Sequence, residues 1–239
     1  MLRNPVTLLL LVLAVTLITG AAPADVLWLS AVEAARLAKG WAPGEMRLSI
    51  EMADDRGKVL EIWENRYRLS AGADGTVRTE VVSAIHNGKD ETPKEREAQG
   101  KREANTREEG QPQGSSFGFG DDPFDPDVQE SLEIRLLAGT RAIAGRTCIL
   151  YAFTLSKPKG TSVEGTAWLD PATGIPVEVV SSPRPLPRGA HELVTTLRYG
   201  TDGLVSEVLV EGSGSLLFFK RRFSSVVTFG SYYRRAAGG

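Results

Sequence analysis

The chain has 239 residues, 41% of them hydrophobic and 24% charged, with one cysteine and a formal net charge of -2. One cysteine excludes an intrachain disulfide framework, and the near-neutral charge disfavours nucleic acid as a partner, since nucleic-acid-binding proteins need a strong basic excess. The apolar fraction is that of a globular protein and excludes a chain that is disordered throughout.

Residues 1–24 have the pattern of a signal peptide. Arg3 gives a positive start, residues 6–18 form an apolar run, and Ala22 and Ala24 fit a small-residue cleavage site. The run is shorter than the ~20 apolar residues that a membrane-spanning helix needs. We therefore expect cleavage near Ala24, export of the chain and a soluble mature protein. An uncleaved anchor is the alternative.

A short helix is predicted next. Ser30 and Glu33 match a capping box with Ser30 at the N-cap, and Gly40 offers a C-terminal stop. Such a helix has only about ten residues, so packing against the rest of the protein must hold it in place.

Beyond this helix, apolar and polar residues alternate with the two-residue period of β-strands. The alternation predicts strands in the ranges 46–52, 58–70, 76–85, 132–136, 148–155, 163–169, 175–181, 191–199, 204–210 and 216–233, the last being one bent strand or two. About ten or eleven strands at this spacing are typical of a meandering antiparallel sheet. Residues 148–155 are apolar on both faces, so Cys148 is expected to be a buried small hydrophobe.

Residues 87–127 interrupt the strands with a different composition. They hold six Lys or Arg against eleven Asp or Glu, and no Val, Ile or Leu. A segment of this kind cannot bury enough apolar surface to offset its ordering entropy. We predict an acidic, disordered insertion, with a short charged helix across 94–109, inside a single domain of residues 25–239.

No motif predicts catalysis. Residues 114–118 match the G-x-S-x-G nucleophile elbow, but that chemistry needs a serine between a strand and a helix, and the flanking sequences predict neither. His86 and His191 do not have metal-binding spacing. We therefore expect a protein that is not an enzyme, with no catalytic residue, no bound metal and no cofactor.

The C-terminal stretch is basic. From Gly212 to Gly239 there is no acidic residue, and the basic residues are Lys220, Arg221, Arg222, Arg234 and Arg235. Two interpretations stay open: an amphipathic strand with a charged outer face, or a peripheral contact with the head groups of an anionic membrane.

One hairpin carries a family resemblance. Residues 165–176 follow the order strand, Trp168, Asp170, Thr-Gly, Pro, strand, and residues 145–153 precede them as Gly-Arg-x-Cys-x-x-Tyr-x-Phe. This combination resembles the LolA/LolB-like superfamily of bacterial outer-membrane lipoprotein-sorting proteins. The resemblance implies a mainly β (α+β) fold: a strongly curved antiparallel sheet, open as a half-barrel of about ten or eleven strands, with the N-terminal helix on its concave face.

The resemblance also implies a function. An apolar concave face can shelter an acyl chain, so we expect a periplasmic, monomeric, non-enzymatic protein that binds a lipid or a lipoprotein acyl chain, in envelope trafficking or sensing. The apolar residues expected to line its cavity are Ile50, Trp63, Tyr67, Ile134, Tyr151, Phe153, Trp168 and Leu197. The alternative is a protein–protein interaction or regulatory module of the cell envelope that acts through its surface and residues 87–127.

Overall fold

The computed structural model describes residues 23–71, 77–108, 122–216 and 219–235. Most of the predicted signal peptide (residues 1–22) and the serine motif at 114–118 lie outside the described residues. The elements in chain order are α1 (Pro23–Ala38), β1 (Trp41–Ala42), β2 (Glu45–Asp54), β3 (Val59–Ala71), β4 (Val77–His86), β5 (Lys89–Asp90), α2 (Thr92–Glu108), the 3₁₀ turn η1 (Pro126–Ser131), β6 (Leu132–Ile143), β7 (Arg146–Lys157), the 3₁₀ turn η2 (Pro158–Gly160), β8 (Thr161–Leu169), β9 (Pro176–Arg184), β10 (Ala190–Tyr199), β11 (Val205–Leu216), β12 (Phe219–Gly230) and β13 (Tyr233–Arg234).

One large antiparallel sheet dominates the described residues. Its eleven strands have the order β5-β4-β3-β2-β12-β11-β10-β9-β8-β7-β6. All neighbours are consecutive in the chain except β2 and β12, where Leu48 lies opposite Val227. As a result β5 and β6, which follow each other in sequence, form the two edges of the sheet, and the sheet is not closed. The predicted mainly β fold, with an open antiparallel sheet and an N-terminal helix packed on it, is confirmed.

The inner face of the sheet, the face that packs against α1, carries a buried row of apolar residues. Backbone register places these residues directly opposite one another across seven neighbouring strands. The row consists of Tyr151, Ala167, Val179, Leu197, Val208, Val227 and Leu48. All of them except the half-buried Leu48 are at most 4% exposed. This first row is the centre of the hydrophobic core.

Helix α1 covers the first row through Trp28. The indole is 2% exposed, its ring centroid lies 5.5 Å from that of Tyr151, and its Nε1 donates to Gln129 Oε1 at 3.1 Å. The predicted helix start is wrong: α1 begins at Pro23, and the Ser30 hydroxyl donates to the carbonyl of Val26 at 2.9 Å inside the helix. A serine that bonds back to the fourth preceding carbonyl is compatible with a helix interior.

Residues 122–131 form a second cover beside α1. The ring of Phe124 is fully buried and lies 4.6 Å from that of Trp28. Lys39 at the end of α1 pairs with Asp125 at 2.9 Å and Asp127 at 2.8 Å. The acidic end of the predicted insertion therefore holds this cover to α1.

Helix α2 covers the edge of β4 with polar contacts. The hydroxyl of Thr92 accepts from the Ala84 N–H at 2.9 Å, Arg96 Nε donates to the carbonyl of Val81 at 2.9 Å, and Gln99 Nε2 donates to the carbonyl of Thr79. These bonds occupy backbone groups that an edge strand otherwise leaves open to other chains. For 87–127 a disordered insertion with a short charged helix across 94–109 was predicted, and the structure places 89–90 in β5, 92–108 in α2 and 126–127 in η1. Residues 109–121 lie outside the described part.

Candidate ligand-binding surface

A second row of residues continues the inner face beyond the first row. Register again places its members opposite one another, from β6 to β3. The row consists of Ile134, Phe153, Gly165, Ser181, Thr195, Val210, Ser225, Ile50 and Trp63. Large residues stand at its two ends, and small ones occupy much of its middle. The second row therefore fills less of the space above the sheet than the first.

Two phenylalanine rings lie flat on glycines of this part of the sheet. A Cβ built on Gly165 would meet Phe153 Cζ at 2.6 Å, and a Cβ built on Gly212 would meet Phe223 Cε1 at 2.5 Å. In each case the phenylalanine is the cross-strand partner of the glycine. Such a ring covers the backbone of its neighbouring strand instead of standing upright on the sheet. Phe223 stays 37% exposed in this position, whereas Phe153 is buried at 3%.

Large apolar side chains stay accessible on this part of the inner face. Ile134 and Phe223 are each 37% exposed. Ile50, Met52, Trp63 and Val210 are half-buried. We call these six residues the open inner surface. At its margin the Trp63 ring stacks on His86, with centroids 4.8 Å apart and an interplanar angle of 4°.

The eight residues predicted from sequence lie in four different places. Ile50, Trp63 and Ile134 belong to the open inner surface, whereas Tyr151, Phe153 and Leu197 are at most 3% exposed and belong to the core.

Tyr67 is half-buried near α2, where its hydroxyl accepts from Asn65 Nδ2 at 3.0 Å and burial raises the pKa of its phenol. Trp168, the eighth predicted residue, lies on the opposite face of the sheet from the other seven.

Trp168 lies on the outer face of β8. Its register partners are Leu150 and Glu178, and the Arg141 guanidinium lies 5.8 Å from its ring centroid. Glu178, only 8% exposed, pairs with Arg141 at 3.7 Å and accepts from Arg198 Nε at 3.2 Å. Trp168 thus packs in a charged cross-strand cluster, while Ala167 takes the inner position.

Sequence reasoning missed Phe223 and Met52. Met52 occupies the same set of alternate positions on β2 as Met46, Leu48 and Ile50. The sequence pattern was therefore sufficient to place Met52 on the same face of the strand. Phe223 stands among basic residues on β12, and only its pairing with Gly212 places it on the inner face.

The basic C-terminal residues do not form one patch. Lys220, Arg221 and Arg222 begin β12, whereas Arg234 is on β13, which follows the other end of β12. The eight positions from Arg222 to Gly230 alone span about 27 Å in a strand. Lys220, Arg221 and Arg222 line a pocket of about 480 Å³, while a second pocket of about 580 Å³ is lined by three glutamates and by one basic residue, Arg222, which the two pockets share.

Cys148 is fully buried, as predicted, and burial raises the pKa of its thiol. Within the described residues, no group of three or more His, Cys, Asp or Glu is placed to hold a metal ion. None of the described helices has the length and apolar character that crossing a membrane requires.

No family model matches the chain, and no curated protein matches it. Among solved structures it is similar to a LolA superfamily protein from Nitrosomonas europaea (11% identity, 87% of this chain and 94% of that chain covered, TM-score 0.38). It is also similar to a DUF1329 family protein from Desulfovibrio piger (13% identity, 92% of this chain and 96% of that chain covered, TM-score 0.39). A third similar structure is a chain of the Pseudomonas aeruginosa MucA/MucB complex (13% identity, 88% of this chain and 98% of that chain covered, TM-score 0.23).

Proposed function

We propose that the protein is a periplasmic, non-catalytic binding protein that shelters the acyl chain of a lipid or lipoprotein on its open inner surface. The observation that carries this proposal is the change in exposure along one face of the sheet. Its first row is packed core, while large apolar residues beyond it, such as Ile134 and Phe223, keep more than a third of their surface accessible.

The physical basis is burial of methylene groups. Each methylene transferred from water contributes about 0.8 kcal/mol, so ten methylenes contribute about 8 kcal/mol before the entropy of binding is subtracted. Large exposed apolar patches on soluble proteins are typical of binding sites, and five of the six residues of the open inner surface lie on the four neighbouring strands β3, β2, β12 and β11. The ring of Phe223 lies over Gly212 and stays 37% exposed, which leaves room above this part of the sheet where a chain would lie.

The test compares two isoleucines of equal exposure on opposite faces. Ile134 on the inner face is 37% exposed, and Ile62 on the outer face is 38% exposed. Acyl-chain binding is measured by titration with a fluorescent fatty acid. Ile134→Asp should weaken binding at least tenfold, because it places a charge against the chain, whereas Ile62→Asp should leave it unchanged. Equal effects of the two variants, or no binding by the unaltered protein, would show that the inner surface is not the site.

A second candidate is a protein-interaction module that adds a partner's strand to the edge of β4. It is favoured by the way α2 covers this edge, through polar side chains such as Arg96 and Gln99 that a partner strand's backbone can replace. A double Arg96→Ala, Gln99→Ala variant should then self-associate through the freed edge, as measured by light scattering after gel filtration. A variant that stays monomeric at high concentration would count against an edge competent for strand addition.

A further inference from the structure

The two edges of the large sheet differ in how they are covered. The edge of β4 is covered by α2, whose side chains Arg96 and Gln99 bond to its backbone carbonyls. At the other edge, β6 pairs with β7 on one side and with no further strand of the described residues on the other. A long unpaired edge strand is a template for pairing with another chain. The open edge of β6 is therefore a candidate interaction surface.

The regular part of β6 is short. Residues 132–136 pair with β7 without interruption, and the register then shifts between Leu136 and Thr140. An irregularity of this kind ends regular pairing along an edge. A partner strand can therefore pair with the five residues 132–136, whose middle residue is Ile134.

The backbone of this segment directs hydrogen-bonding groups to the open side. The N–H of Leu132 donates to the carbonyl of Gln129, which lies outside the β6–β7 ladder. Along an antiparallel strand, residues alternate in the side to which they direct both their N–H and their C=O. Ile134 and Leu136 occupy the same set of alternate positions as Leu132, so their N–H and C=O groups point away from β7.

The side chains on the inner face of this segment form an exposed apolar strip. Ile134 and Leu136 lie opposite Phe153 and Tyr151 of β7. Phe153 and Tyr151 are at most 3% exposed, whereas Ile134 is 37% and Leu136 is 48% exposed. Leu132, the third member of the strip, is half-buried. A further strand on this edge would remove part of the strip from water, which favours pairing.

The side chains on the outer face of the segment carry opposite charges. Glu133 and Arg135 are both exposed, and neither forms an ion pair with another described residue. Exposed charges elsewhere on the sheet do pair across strands, as Arg68 does with Glu80 at 3.0 Å. One carboxylate and one guanidinium on β6 are thus available to a partner strand.

A second copy of the same segment complements it in one register. Two antiparallel copies related by a two-fold axis place residues of the same face opposite each other, so the axis passes through a residue. With the axis at Ile134, Glu133 lies opposite Arg135 of the other copy on both sides of the axis, and Leu132 lies opposite Leu136. With the axis at Glu133 or Arg135, that residue lies opposite its own copy, and like charges in this position are destabilising.

We infer that β6 is a dimerisation edge, at which two copies of this chain pair antiparallel through residues 132–136 about a two-fold axis at Ile134. The axis is perpendicular to the sheet, so the inner faces of both copies lie on the same side and the two apolar strips meet. The inference does not depend on acyl-chain binding, and it differs from the monomer expected from the sequence.

The test is sedimentation equilibrium of the protein at concentrations from about 1 to 300 μM, because an interface this small gives a weak dimer. Glu133→Arg turns both opposite-charge pairs into pairs of arginines, and Arg135→Glu turns both into pairs of glutamates. The matched control is Glu64→Arg, which makes the same change of charge at an exposed position on β3. All three positions are exposed, so the variants should fold, which circular dichroism checks.

The unaltered protein and the control should form a dimer whose population rises with concentration. Glu133→Arg and Arg135→Glu should each dimerise at least tenfold more weakly, since each reverses the sign of two cross-strand pairs. An equimolar mixture of these two variants should form a heterodimer as tightly as the unaltered protein associates, because every arginine then lies opposite a glutamate. The double variant Glu133→Arg, Arg135→Glu should likewise dimerise as the unaltered protein does.

A cysteine cross-link tests the position of the axis. In the proposed register the two Cα atoms at position 134 lie about 5.5 Å apart, which is within the range that a disulfide spans. Ile134→Cys should therefore give a cross-linked dimer on oxidation. Ile62→Cys, an equally exposed position on β3 at 38%, should not, and the native Cys148 is buried.

A protein that stays monomeric over the whole concentration range would overturn the inference. So would charge variants that dimerise as tightly as the control, or a mixture of the two variants that stays monomeric. Glu133→Arg changes neither the open inner surface nor the edge of β4. Acyl-chain binding and strand addition at β4 are therefore measured in this background without the dimer, and failure of either is distinct from failure of the β6 contact.

Discussion

Replacing Gly165 by alanine should destabilise the protein, because the ring of Phe153 and the backbone of β9 occupy the place of the new methyl group. A Cβ at this position would lie 2.6 Å from Phe153 Cζ and 2.4 Å from the carbonyl oxygen of Val180. The ring can rotate away, but the carbonyl is backbone of the β8–β9 pair and must move by more than half an ångström to reach an ordinary contact.

The magnitude follows from two opposed effects. Overpacking of this kind costs about 1–3 kcal/mol, while exchanging glycine for alanine in the unfolded chain returns about 0.5–1 kcal/mol. A net loss of about 1–2 kcal/mol is expected, or roughly 3–6 °C in Tm for a domain of this size. Urea unfolding followed by tryptophan fluorescence measures it.

Gly230→Ala is the matched control for this prediction. Gly230 also lies in a strand, and nothing lies within 4 Å of a Cβ built there, so this variant should be as stable as the unaltered protein or slightly more so. If Gly165→Ala matched the control, the Phe153 ring would not lie on Gly165. Adding Phe153→Leu to Gly165→Ala should cost less than the two separate losses combined, since the smaller side chain leaves room for the methyl group.

Three further predictions concern the covers of the sheet. Trp28→Ala should lower the free energy of unfolding by about 3–5 kcal/mol, because the indole is 2% exposed; a loss under 1 kcal/mol in urea unfolding would show that α1 is not part of the core. Burial raises the pKa of Asp122, whose Oδ1 accepts from the Tyr199 hydroxyl at 3.3 Å. The native state therefore keeps a proton that the unfolded chain releases, and stability falls as pH rises from the ordinary carboxyl pKa through the raised one. Asp122→Asn should lack this fall and be the more stable protein at pH 8 in urea unfolding, and the reverse order would contradict the assignment. Arg96→Ala removes a donor to the Val81 carbonyl and should speed hydrogen exchange in α2 at least fivefold, whereas unchanged exchange would mean that this contact does not hold the helix.

The strands were predictable because their signal is local. The alternation of Met46, Leu48 and Ile50 puts these side chains on one face of β2, and the structure confirms the strand, with Met46 in the core and Leu48 packed against it. The pairing of β2 with β12 has no local signal, since nearly the whole chain separates the two strands. Only this pairing brings Ile50 opposite Ser225 and so builds the middle of the second row.

Helix α2 lies where a short charged helix was predicted within 87–127, but composition alone does not show what holds this helix in place. The stretch lacks the apolar residues that hold most helices in place. What holds α2 is instead the edge of β4, whose open backbone groups accept bonds from Arg96 and Gln99. A sequence does not show which strand will be an edge, and therefore does not show that a polar helix has a surface to bind.

The candidate site was only partly predictable for a related reason. Apolar residues such as Leu197 and Ile50 are alike in sequence, and which of them are core depends on how far α1 and residues 122–131 reach across the sheet. Trp168 is different, because Val163, Ala167 and Leu169 are buried at the alternate positions of β8. This alternation places Trp168 on the outer face of β8, and the sequence pattern could have been used to exclude Trp168 from the predicted cavity.

The openness of the sheet follows from the segment between its edges. Strands β5 and β6 are consecutive in the chain, so a short connection would let the two edges pair and close a barrel around the inner face. Instead α2 occupies the edge of β4, and residues 122–131 bring Phe124 into the core beside Trp28. The same segment therefore gives hydrogen-bond partners to the backbone at the edge of β4 and covers one end of the inner face, while the other end of that face stays open.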